Sequence, residues 1–112
     1  MERINESEIE SAEPVAGAHL KLLAGGEAMN VQHFSIEAGA TVPEHSHPHE
    51  QGGYIVSGEA VFLVDGEEIP VGPGDSYSIP GGEPHGLENR GDEPVVGVDI
   101  FSPPRENPNW EE

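Results

Sequence analysis

Short apolar runs, broken at close intervals by glycine and proline, leave this chain few architectures. Its 112 residues include 15 glycines and 11 prolines, spread between strand-length segments rather than pooled in one linker. Met29 to Glu37 alternates, with Met29, Val31, His33 and Ser35 on one side and Gln32, Phe34 and Ile36 on the other. Tyr54–Val56, Ala60–Val64, Glu67–Val71 and Ser76–Pro80 read as further short strands, and Pro94–Ser102 as the last. Asp65-Gly66 is a hairpin signal, and Gly72-Pro73-Gly74-Asp75 and Gly81-Gly82-Glu83-Pro84 are turn chemistry. A mixed apolar stretch from Val15 to Leu23 ends at the turn signal Gly25-Gly26. No segment has a convincing helical periodicity, and no repeat of solenoid or propeller period is present. The pattern predicts one all-β domain, an antiparallel sandwich or barrel.

The composition excludes several functions. Without cysteine there are no disulfides, zinc–thiolate sites or thiol nucleophiles. The 22 acidic residues face only 4 lysines and arginines, for a net charge of −18. Such a surface repels nucleic acid and anionic membranes, so neither is an expected partner. The excess of acid fits a protein working in a high-salt cytoplasm, where a Debye length of about 3 Å at 1 M screens self-repulsion. The acidic start, MERINESEIESAEP, lacks the basic and apolar regions of a signal peptide, and no window has the length of a membrane span. A soluble cytoplasmic protein is expected. Residues 1–14 are expected to form a mobile acidic arm, 15–106 the barrel and 107–112 a C-terminal tail.

The chemistry concentrates in GATVPEHSHPHEQGGYIVSG, residues 39–58. On a strand, His45 and His47 share one face, and two neutral imidazoles placed so can share a divalent ion. Pro48 cannot donate to a ladder, so the strand should end or bend there and Gln51 return on the next. His33 reads as a packed or hydrogen-bonded residue and His19 as a surface or edge histidine.

These residues carry a resemblance to the cupins, small jelly-roll β-barrels. The first cupin motif is matched in spacing by Gly39, His45, His47, Gln51 and Gly58, with Gln51 where glutamate is usual. Gly74, Pro80, Gly82, His85 and Asn89 match the second throughout. The resemblance implies that His45, His47, Gln51 and His85 converge on one divalent metal, with His49 the alternative ligand and Glu50 on the opposite face. Such a ligand set is neutral and leaves the metal its full charge as a Lewis acid; its donor types fit Mn, Fe, Ni or Zn.

In VVGVDIFSPPRE, strand alternation puts Gly97, Asp99 and Phe101 on one face and Val96, Val98 and Ile100 on the other. A carboxylate sharing a face with phenylalanine is either a satisfied buried group or a functional one. This segment, with HSHPHEQ and Tyr54–Glu59, is similar to the pectin-degradation cupins that open the ring of 4,5-unsaturated uronates toward the linear keto sugar acid. That likeness implies Asp99 as general acid/base, Phe101 packing on the sugar and Arg105 binding substrate. The tail departs from the subgroup at Arg105-Glu106-Asn107-Pro108-Asn109-Trp110. The alternatives are another metal-dependent cupin enzyme, a dioxygenase or sugar isomerase, and a non-catalytic module binding a small ligand. A homodimer is expected from the resemblance and from the need to cover sheet edges.

Overall fold

A computed structural model describes residues 1–106, so the expected tail and Trp110 lie outside the described residues. A 3-10 turn, Glu6–Glu8, precedes ten strands: β1 (Ala12–Val15), β2 (Ala18–Gly25), β3 (Asn30–Ile36), β4 (Thr41–His45), β5 (Glu50–Ser57), β6 (Ala60–Val64), β7 (Glu67–Val71), β8 (Ser76–Ile79), β9 (His85–Glu88) and β10 (Val95–Ser102). They form two antiparallel sheets, β1-β2-β3-β10-β5-β8 and β4-β9-β6-β7, the two halves of a jelly roll. The punctuation explains the element lengths. At the β6–β7 hairpin, Asp65 and Gly66 both take positive φ, 50° and 81°, the two-residue turn that matches strand twist.

Alternation then sorts the side chains. Ala18, Leu20, Phe34, Ile36, Ile55, Phe62, Leu87 and Val95 form the buried apolar core between the sheets. Along β3, β5 and β10 the inward row changes character. Val95 lies opposite Ile36, and Gly97 opposite both Phe34 and Ile55. Farther along, Asp99 lies opposite Gln32, and Phe101 opposite Asn30 and Gln51. Because neighbouring strands are in register, these changes align into layers. One end of the barrel is apolar and the other carries buried Asn30, Gln32, Gln51 and Asp99. Packing alone would not select that second layer.

Two details differ from the sequence reading. Strand β4 stops at His45, so His45 and His47 do not sit on one strand. The chain leaves the smaller sheet there, and the Gly82 N–H donates to the His47 carbonyl at 2.8 Å, holding His47 against the second motif's turn. At the N-terminus, β1 pairs with β2 from Ala12 to Val15, so the last residues of the 1–14 arm belong to the larger sheet. Lys21 Nζ also holds the Glu6 carbonyl oxygen and carboxylate, each at 2.9 Å.

Candidate metal centre

His45 and His85 face each other as register partners on β4 and β9, and His47 reaches the same point from the β4–β5 connection. Ring centroids are 4.6 Å apart for His45–His85, 4.9 Å for His47–His85 and 5.7 Å for His45–His47. One ligand nitrogen from each of the three lies within 4.8 Å of the others, so the triad can hold one ion.

Each ring is oriented by the backbone. Nδ1 of His45 faces the Pro43 carbonyl at 2.9 Å, Nδ1 of His47 the His49 carbonyl at 3.1 Å, and Nδ1 of His85 the Glu83 carbonyl at 2.9 Å. A carbonyl only accepts, so each Nδ1 carries the proton and each Nε2 keeps its lone pair for a ligand. Burial holds all three imidazoles neutral: it lowers the pKa of His45 and His47, and pushes His85 down to about 4. The Arg105 guanidinium lowers all three further.

Gln51 arrives on β5, and its amide is oriented by Asp99. The amide N–H donates to the Asp99 carboxylate, which leaves Oε1 facing His47 Nε2 at 3.0 Å. With the His47 proton on Nδ1, two acceptors meet at that distance. They repel unless a proton or cation is shared, and burial disfavours the proton. Three imidazole nitrogens and one amide oxygen, arranged so, fit a divalent cation.

Asp99 is the second component. It is buried, accepts from the Tyr77 hydroxyl and from the Gln51 and Gln32 amides, and feels the Arg105 charge. Burial outweighs these donors and raises its pKa to about 6. Tyr77 is itself pushed far up by burial and then by Asp99, so it stays a hydroxyl donor. Its ring is admitted by Gly53, its register partner on β5, where a Cβ would overlap the phenol.

Of the chain's four basic residues, three meet glutamates at the surface: Arg3 with Glu8, Lys21 with Glu6, and Arg90 with Glu68 and Glu88. Arg105 is instead buried, its guanidinium 5.0 Å from the Phe101 ring centroid, with its backbone N–H on Asn30 Oδ1. The cavity among Gln32, His45, Gln51, Asp99, Phe101 and Arg105 measures about 60 Å³.

The sequence-derived site residues therefore gather at one end of the barrel. His49 is outside the triad: its ring packs edge-on to His47 and Phe101, and its carbonyl orients His47. Glu50 is exposed. His33 lies half-buried on the other face of β3, and His19 pairs with Glu37 at 2.5 Å. Gln32 and Tyr77 were not anticipated. Each takes its place through cross-strand register, Gln32 opposite Asp99 and Tyr77 opposite Gly53.

Comparison with known proteins agrees with this architecture. The cupin domain family matches residues 32–101, and the chain belongs to that family. The structure of KdgF from Halomonas sp. superposes with a TM-score of 0.83 at 27% identity, covering 95% of this chain and 96% of that one. An uncharacterised Streptomyces coelicolor protein is 31% identical over 91% of this chain and 94% of its own length. The tetracenomycin polyketide synthase protein TcmJ of Streptomyces glaucescens is 33% identical over 63% of this chain, which spans 48% of that relative.

Proposed function

We propose that this cupin is a metal-dependent enzyme that opens the ring of 4,5-unsaturated uronate monosaccharides to the linear keto form. The observation that carries the reading is the placement of Asp99 and Arg105 beside the histidine triad, a buried acid and a buried cation at one end of the barrel. The likeness to KdgF supports it. His45, His47, His85 and the Gln51 amide oxygen would hold the metal, which would supply Lewis-acid polarisation of substrate oxygens.

The chain's own residues supply the rest. Ring opening is an isomerisation: the hemiacetal hydroxyl loses a proton, the bond from C1 to the ring oxygen breaks, and C4 of the resulting enol gains a proton. Asp99, with a pKa near neutrality, is suited to take up and return that proton. Arg105 would pair with the uronate carboxylate, and Phe101 would pack on the sugar. A cavity of about 60 Å³ is well short of the roughly 300–1,000 Å³ that encloses a drug-sized ligand. The reacting end would enter it, leaving the remainder at the barrel mouth.

Loss of the substrate's ultraviolet absorbance on adding metal-loaded protein tests the proposal. Acceleration over buffer is expected, with a loss of about 10²-fold or more in Asp99→Asn and a raised KM in Arg105→Ala. No acceleration with metal confirmed bound would sink it. A dioxygenase would instead consume O₂, and a binding module would bind without turnover.

We infer further that two copies pair through the larger sheet's outer face. Tyr54, Val56 and Ile100 are half-exposed there. The outward positions of β3 and β10 from Val31 to Ser35 and from Val96 to Ile100 contain no carboxylate, against 22 acidic residues in the chain. Exposed apolar surface in so acidic a protein favours an interface.

A further inference from the structure

The position of Gln32 goes beyond the ligands and the three residues assigned to the reaction. It is 2% exposed, faces inward from the middle of β3 and lines the cavity directly across from Asp99. Its carboxamide is oriented by chemistry alone. The Asp99 carboxylate accepts, so the Gln32 end that meets it is the NH₂. The other end, Oε1, is buried and has no hydrogen-bond partner. Buried acceptors left so are rare, because the lost hydration is not replaced. The same side chain lines a cavity whose other walls include a cation at Arg105 and an aromatic face at Phe101.

We propose that Gln32 is a substrate-recognition residue whose Oε1 accepts a hydrogen bond from a hydroxyl of a hydroxy acid bound in the barrel. Asp99 serves as its anchor: by holding the NH₂, it fixes Oε1 as the end of the carboxamide left to accept. An apolar site tolerates a ligand with or without a hydroxyl, whereas a site with an unmet acceptor discriminates against the analogue that cannot donate. The assignment deepens the uronate reading and rests on it for the identity of the substrate. The pairing of an acceptor with a hydroxylated acid stands on the cavity itself.

The test uses the full chain loaded with zinc, which is diamagnetic, and two probes differing by one hydroxyl: lactate and propionate. Affinity is measured calorimetrically for wild type and Gln32→Met, and the Gln32 side-chain amide signal is followed by ¹H–¹⁵N NMR in wild type alone. Lactate should bind about ten-fold tighter than propionate, shift the Gln32 amide signal, and lose that advantage in Gln32→Met. Equal binding or no binding of the two probes by wild type, or undiminished discrimination in the variant, would overturn the assignment and leave Oε1 as a water-holding atom. Because the α-hydroxyl of lactate can also chelate zinc, the variant carries the comparison, and Gln32→Leu replaces Gln32→Met if that variant does not fold. Parallel turnover assays separate this inference from the function. Lactate discrimination without uronate turnover removes the uronate reading and keeps Gln32. Turnover with KM unchanged in Gln32→Met removes Gln32 and keeps the enzyme.

Discussion

At Asp99, burial and hydrogen bonding pull in opposite directions. Desolvation raises its pKa to about 6 despite three donors and a nearby arginine. Tyr77 sustains this arrangement, and Tyr77 depends on the bare backbone of Gly53. Gly53→Ala should push the phenol off Asp99 and destabilise the fold by about 1–3 kcal/mol through overpacking, measured by urea denaturation. A stability within error of wild type, with the Tyr77 contact intact, would contradict this. At this scale the resemblance to the cupin motifs pointed to the three histidines and Gln51, and strand alternation set Asp99 apart as a polar residue on an apolar face. Neither showed Gln32 or Tyr77. Each acquires its role only through cross-strand register, Gln32 against Asp99 and Tyr77 against Gly53, which a linear reading does not contain.

Among the elements, the two motifs prove to be joined to each other by the backbone. Gly39 of the first donates its N–H to the carbonyl of Asn89 in the second at 2.9 Å, and the Asn89 N–H returns to Ala40. The Asn89 side chain is fully buried, donates to the Ile36 and Glu93 carbonyls, and accepts from the Gly91 N–H. It is thus a clamp on the β9–β10 turn. Asn89→Ala leaves these groups unpaired and should cost about 3 kcal/mol of stability, while metal stoichiometry in the folded protein stays at one. Loss of metal with unchanged stability would instead place Asn89 in the site. The strands from Ala60 to Val71 were legible because Asp65-Gly66 fixes a local hairpin. The end of β4 at His45 was not, since it depends on contact between His47 and the distant Gly82.

For the whole molecule, charge and protonation govern stability. Among the described residues no helix is long and apolar enough to cross a membrane. With a net charge of −18, screening should raise the melting temperature between about 0.1 M and 1 M KCl, as the Debye length falls from about 10 Å to about 3 Å. A salt-independent melting temperature would remove the high-salt reading. Acid acts through the site. In the metal-free protein the three histidines have depressed folded-state pKa values, that of His85 about 4. Their contribution is present above the unfolded value of about 6.5 and is lost as pH falls through the folded values. Asp99 opposes them: raised from 3.8 to about 6, it adds stability as the solution becomes more acidic over an overlapping range. The His85 and Asp99 shifts are opposed and similar in size, so the depression of His45 and His47 decides the sign and should lower the melting temperature as the pH falls below about 6.5. Metal at about 100 times its Kd should add about 2.7 kcal/mol, and His85→Ala should abolish that gain. On the outer sheet, Val98→Glu should convert a dimer to a monomer in sedimentation velocity, and a wild-type monomer would remove that interface.

The most direct measurement is anomalous X-ray scattering from crystals of the metal-loaded protein. One peak per chain is expected within bonding distance of Nε2 of His45, His47 and His85 and of Gln51 Oε1. A second group of metal-binding types, Glu13, His19 and Glu37, lies at the surface and serves as an internal control. A peak there with none at the triad, or a triad ion with Gln51 turned away, would contradict the centre described above.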